Sequence, residues 1–151
     1  MKNSDKYYME LALAEAKIAY DKDEVPIGAV MVRDDEVIAR SHNLKEELND
    51  PTAHAEMLAI RQATEKLGGW RLTDCTLYVT IEPCPMCAGA LVQSRVDQLI
   101  YGAKDPKAGA AGSIINIVDS PDFNHQLKIK LGILEDKCSN IMKSFFRNLR
   151  N

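Results

Sequence analysis

His54 and Glu56 stand two residues apart in "TAHAEMLAI", and Cys84 and Cys87 form a Cys-x-x-Cys pair in "IEPCPMCAGA". Residues at i and i+2 point to nearly opposite sides of an ideal helix, so His54 and Glu56 cannot share a lateral face as the histidines of HExxH do. Side chains at a helix start can instead converge on the space beyond its end. The cysteine pair follows an apolar β-type run and opens a helix, where unpaired N–H groups and the helix dipole favour thiolates. One histidine and two cysteines make a soft three-ligand set suited to zinc. No fourth ligand is supplied, which leaves room for a water whose pKa zinc lowers to about 7. Glu56, not needed as a ligand, is then placed to carry the proton. Two plainer readings compete: Cys-x-x-Cys alone can be a redox pair, and a lone His-x-Glu is more often a surface feature.

The elements that must position these groups follow from periodicity. From Ser4, a candidate cap, to Tyr20, the residues Tyr8, Leu11, Ala12, Ile18 and Ala19 share one half of a helical wheel, with Glu15 the one charge interrupting it. "IGAVMV" and "EVIARS" flank the polar turn "RDDE" and read as a β-hairpin. Asp50-Pro51-Thr52 opens a helix that Gly68-Gly69 closes. "TLYVTI" at 76–81 is a strand, "MCAGALVQS" a helix and "QLIYGA" at 98–103 a strand. A Gly/Ala-rich loop follows at 105–113, and the last helix runs from about Gly132 to Leu149. This alternation predicts an α/β fold: a three-layer α/β/α sandwich with a mixed sheet of about five strands, an antiparallel first hairpin and parallel later strands. Parallel strands gather ligands beyond their ends, at helix N-termini, so the starts of the His54 and Cys84 helices are expected at one end of the sheet.

With 151 residues, 46% hydrophobic and 27% charged, the chain suits one domain spanning 1–151. It contains no run of 18 apolar residues, and charges at helical spacing break "MKNSDKYYMELALAEAK", so neither a membrane span nor a signal peptide is expected and the cytoplasm is the default. A net charge of −3 argues against non-specific coating of nucleic acid while leaving room for a local basic patch. Cys75 and Cys138 read as core residues, and His42 and His125 as loop or hydrogen-bonding residues.

"HAE" followed by "PCPMC" resembles the zinc nucleobase and nucleoside deaminase superfamily. "EVPIGAV", "HN" at 42–43, "DPTAHAEMLAIRQA", "LYVTIEPCPMCAGALVQSRV", "YGAKDPKAGAAGS" and "FFRNLR" extend the resemblance to the bacterial tRNA-specific adenosine deaminases, from about residue 5 to the C-terminus. The resemblance implies a cytidine deaminase-like fold and hydrolysis of adenosine to inosine at the wobble position (position 34) of a tRNA anticodon loop. It implies one Zn2+ per subunit on His54, Cys84 and Cys87, with zinc-bound hydroxide attacking C6 and Glu56 as proton shuttle. By the same resemblance Asn43 hydrogen-bonds the purine, the Ala55 N–H reads its ring edge, and Val25, Pro26 and Ile27 shape the pocket wall. Asp105 would approach the nucleotide backbone near the target base, with Lys104 and Lys107 on the same loop after the "LIYGA" strand, the partner would be the tRNA anticodon stem-loop, and the protein would be a homodimer. Guanine or other free-base and nucleotide deamination on the same fold is the alternative, and a non-catalytic zinc module that binds RNA is a third reading.

The last helix bears on the RNA partner. Leu134, Cys138, Ile141, Phe145 and Leu149 form a candidate buried stripe, while Lys143, Arg147 and Arg150 share another face with Phe146 at the border. A basic face edged by an aromatic suits a splayed single-stranded loop, where bases stack and phosphates meet charge. A solvated helix face beside a core aromatic gives the same pattern.

Overall fold

The computed structural model describes residues 3–149. Its order is α1 (Asp5–Asp21), β1 (Gly28–Arg33), β2 (Glu36–His42), α2 (Lys45–Leu48), α3 (Ala55–Leu67), β3 (Cys75–Ile81), α4 (Pro85–Gln93), β4 (Gln98–Ala103), β5 (Lys128–Leu131) and α5 (Glu135–Leu149). The strands form one sheet in the order β2-β1-β3-β4-β5. β1 runs antiparallel to β2 and β3, whereas β3, β4 and β5 are parallel. This is the expected three-layer sandwich with its antiparallel hairpin.

Strand side chains alternate between two cores. Ala29, Met31, Leu77, Val79, Leu99 and Tyr101 pack with Ala55, Ala59 and Leu91 of α3 and α4. Val30, Val32, Tyr78 and Ile100 pack with Tyr8, Met9 and Ala12 of α1 and with Cys138 of α5. Both faces of the central strands are covered, which is why they read as nearly continuous apolar runs. Gly28 is required by this packing: a Cβ there would stand 1.9 Å from the Ala12 carbonyl oxygen, so only glycine lets α1 approach β1 this closely.

Several details differ from expectation. The helix expected to open at 50–52 starts at Ala55, because Asp50 instead accepts the Thr52 N–H (2.8 Å) and hydroxyl (2.7 Å) and closes a turn. α5 begins at Glu135, after Gly132 (φ 87) and Leu134 (φ 55), whose left-handed backbones break the helix. Its stripe is shorter than expected, with Cys138 and Phe145 buried but Leu149 exposed. On α1 the buried stripe is rotated: Met9, Leu13 and Ala16 are buried and Ile18 is exposed. The buried Glu15 is compensated by His42 Nδ1 at 2.9 Å and Arg40 Nε at 3.3 Å. The four-residue α2 and the edge strand β5 have no counterpart in the sequence reading. His125 takes the expected hydrogen-bonding role, its Nε2 donating to the Val96 carbonyl at 2.7 Å, and all four cysteines are free.

Candidate active site

β3 ends at Ile81, and the chain passes through Glu82 and Pro83 to Cys84, the N-cap of α4 in extended conformation (φ −75, ψ 173). His54 is the N-cap of α3, equally extended (φ −78, ψ 151). Neither side chain caps its own helix, so both are left to face outward from the helix ends. The i, i+2 conflict disappears because His54 precedes the first helical turn while Glu56 lies within it. His54 Nδ1 lies 3.6 Å from Cys84 Sγ and 3.4 Å from Cys87 Sγ. The three donor atoms fall within 4.8 Å of one another.

The electrostatics of this cluster are set by contact and burial. The Cys87 thiol hydrogen-bonds the Cys84 sulfur and, with His54, holds Cys84 down to about 4, a thiolate at neutral pH. The same bond raises Cys87 far above its ordinary value, and hydrogen bonding to Cys84 raises His54. Glu56 is 3% exposed, and burial pushes its carboxyl up to about 7. Its Oε1 is buried without a hydrogen-bond partner. Such an orphaned acceptor is costly unless a bound species supplies a proton donor, and the soft His/Cys/Cys set beside it suits a metal ion. The three donors present therefore fit a soft divalent metal such as zinc, which His54, Cys84 and Cys87 would hold.

A cavity of about 1160 Å³ opens above this cluster, with His54 in its wall. Val25, Ile27, Ile81, Met142 and Phe146 supply apolar lining. Lys45, Lys104, Lys107, Lys143 and Arg147 bring five cations against one carboxylate, Asp105. Among the described residues none of the five cations forms an ion pair within 4.0 Å. A chain of net charge −3 thus concentrates positive charge around one opening.

The residues expected at the site are mostly brought together. Val25, Ile27, Asn43, His54, Lys104, Asp105, Phe146 and Arg147 line the cavity, and Phe146 is exposed. Pro26 is buried behind the wall and is not among the lining residues. Arg150 lies outside the described residues. The Ala55 N–H, expected to read a purine edge, donates to Asn43 Oδ1 at 2.7 Å, and Ala55 is fully buried. Asn43 therefore spends its carbonyl on the α3 start and has its amide nitrogen left for a ligand. Asp105 spends Oδ1 on the N–H groups of Lys107 and Ala108 (3.0 and 3.1 Å). Lys45 was missed, because α2 is too short to show periodicity. Buried Glu24 holds that helix by accepting the Glu46 and Glu47 N–H groups (3.0 and 2.8 Å). A carboxylate just before "VPIG" was the available signal.

Residues 3–150 match the family model of MafB19-like deaminases. A protein of Bacillus subtilis (strain 168) named tRNA-specific adenosine deaminase is 53% identical over 146 residues, covering 97% of this chain and 91% of its own. The chain belongs to the tRNA-specific adenosine deaminase family. A solved structure from biochemical and structural studies of A-to-I editing by tRNA:A34 deaminases at the wobble position is similar to this family member, at 50% identity and a TM-score of 0.87. It covers 89% of this chain and 98% of its own. A guanine deaminase structure from Bacillus subtilis is more distant, at 32% identity and a TM-score of 0.66 over 97% of this chain and 95% of its own. Both solved structures therefore share the overall fold described above.

Proposed function

We propose that this protein hydrolyses adenosine to inosine at the wobble position of a tRNA anticodon loop, as the names of its relatives indicate for them. The observation that carries this reading is the partnerless, buried Glu56 Oε1 next to the His54, Cys84 and Cys87 donors, under a cation-rimmed cavity. His54, Cys84 and Cys87 hold one Zn2+ per subunit. When bound, zinc supplies the Lewis acidity that makes water a nucleophile near neutral pH. Glu56 takes a proton at its free oxygen and delivers it to the ring nitrogen beside C6, then assists departure of ammonia.

Around this centre Asn43 offers its amide nitrogen to the purine, and Val25 and Ile27 exclude water from one wall. Phe146 stacks on an unpaired base, while Lys45, Lys104, Lys143 and Arg147 meet phosphates of the anticodon stem-loop. A single deaminase domain of residues 1–151, acting as a homodimer in the cytoplasm, completes the reading. Among the described residues no helix is long and apolar enough to cross a membrane.

The test is sequencing of inosine at the wobble adenosine of a tRNA substrate, with wild type and Glu56→Gln at measured zinc content. Inosine from wild type alone, at equal zinc, supports the reading. Ammonia released from guanine but none from tRNA would replace it with a free-base deaminase.

A further inference from the structure

Glu82 is 3% exposed and stands between the end of β3 and the cysteine-bearing turn, yet it touches none of the three metal donors in the hydrogen bonds described. Its carboxylate faces the 104–113 loop instead. Oε1 accepts the Asp105 N–H at 3.1 Å and the Ser113 hydroxyl, and Oε2 accepts the N–H groups of Ala111 and Ser113, each at 3.0 Å. Flanking backbone bonds reinforce the attachment: Glu82 N–H donates to the Ala103 carbonyl (2.9 Å) and Ala110 N–H to the Pro83 carbonyl (2.8 Å). Gly109 seals the carboxylate in place, since a Cβ there would lie 2.4 Å from the Glu82 carboxyl carbon.

Four donors on one buried carboxylate are more than a loop needs merely to be covered. A buried charge persists only when its hydrogen bonds are satisfied, so the loop has one conformation that accommodates Glu82 and is fixed in it. That conformation places Lys104, Asp105 and Lys107 on the wall of the cavity. We propose that Glu82 is the positioning residue that fixes the 104–113 loop against the metal-donor turn, so that Lys104 and Lys107 meet RNA phosphates at the cavity mouth. The inference rests on the RNA substrate proposed above, and its signature lies in substrate affinity rather than in the chemical step.

The test compares zinc-loaded wild type, Glu82→Gln and Ser113→Ala with a tRNA anticodon stem-loop at several salt concentrations, alongside amide hydrogen exchange. Glu82→Gln is expected to raise KM on the order of tenfold while kcat changes less than about threefold, since the lost interaction serves binding. The slope of log KM against log salt should flatten by about 1.4, about 0.7 for each of the two lysine–phosphate contacts to a single strand. The amides of Asp105, Ala111 and Ser113 should exchange faster, with those of α3 and α4 unaffected. Ser113→Ala, which removes one donor only, should shift KM the same way by a smaller factor, and it carries the test if Glu82→Gln does not fold. Unchanged KM and salt slope despite faster loop exchange would overturn the proposal, because a purely structural anchor behaves that way. Unchanged exchange, or loss of zinc from Glu82→Gln, would overturn it as well. If wild type forms no inosine, the functional reading falls, and the exchange data still decide whether Glu82 fixes the loop.

Discussion

Glu56, in α3 and interacting with the cysteine turn, and Glu82, just before that turn in the chain, are the same residue type, each 3% exposed. Their surroundings are opposite. Glu56 has an oxygen with no partner, and burial lifts its carboxyl to about 7. Burial also acts to raise Glu82, but the Ser113 hydroxyl and the N–H groups of Asp105, Ser113 and Ala111 outweigh it and hold the carboxyl below its ordinary value. The contrast separates two uses of a buried carboxylate. An unsatisfied one can exchange protons with a ligand, whereas a saturated one is a permanent anion that holds backbone in place.

The comparison is broken most decisively at Glu56. Glu56→Gln keeps the shape and the donors of the metal but cannot carry a proton, so kcat should fall by at least 10²–10⁴-fold. Zinc content and stem-loop affinity should stay within a few-fold of wild type, checked by elemental analysis and equilibrium binding. Substantial turnover in that variant would remove the distinction between the two carboxylates. His54→Ala tests the other half of the centre: metal stoichiometry should collapse and inosine formation should fall to background, read in the same two assays.

Stability should separate the two glutamates by sign. Glu82→Gln leaves several buried N–H groups poorly matched and should cost about 1–3 kcal/mol in urea unfolding. Glu56→Gln removes a buried, incompletely paired carboxylate and should leave unfolding unchanged or shifted toward greater stability. Equal losses for both would show that their environments differ less than the hydrogen bonds indicate. The smallest effects belong to the rim. Lys45→Ala should raise KM a few-fold and flatten the salt slope by about 0.7, the share of one phosphate on a single strand, with kcat retained.

Much of this was legible in the sequence, for identifiable reasons. The strands at 76–81 and 98–103 and the cysteine helix announce themselves because both sheet faces are buried, giving continuous apolar runs. The His54, Cys84 and Cys87 cluster was legible because these residues sit at helix starts, and helix starts have local signals. β5 was not, since "KIKL" is a short edge strand with alternating lysines that carries little hydrophobic pattern. α2 escaped because its support comes from Glu24, some twenty positions earlier in the chain. The bond from the Ala55 N–H to Asn43 escaped for a related reason: sequence does not show which side chain a helix start will recruit. Long-range polar partnerships leave far less local trace than periodic burial does.

That asparagine has a wider consequence. Helix α3 begins with a histidine that makes no cap of its own, and Asn43, from the stretch after β2, closes the first N–H in its place. The His-x-Glu and Cys-x-x-Cys segments are therefore not a self-contained cassette. Anyone grafting them onto another α/β scaffold would transplant a helix with an open end and a histidine free to turn back and close it. A portable version of this centre has to include residue 43 and the strand that delivers it.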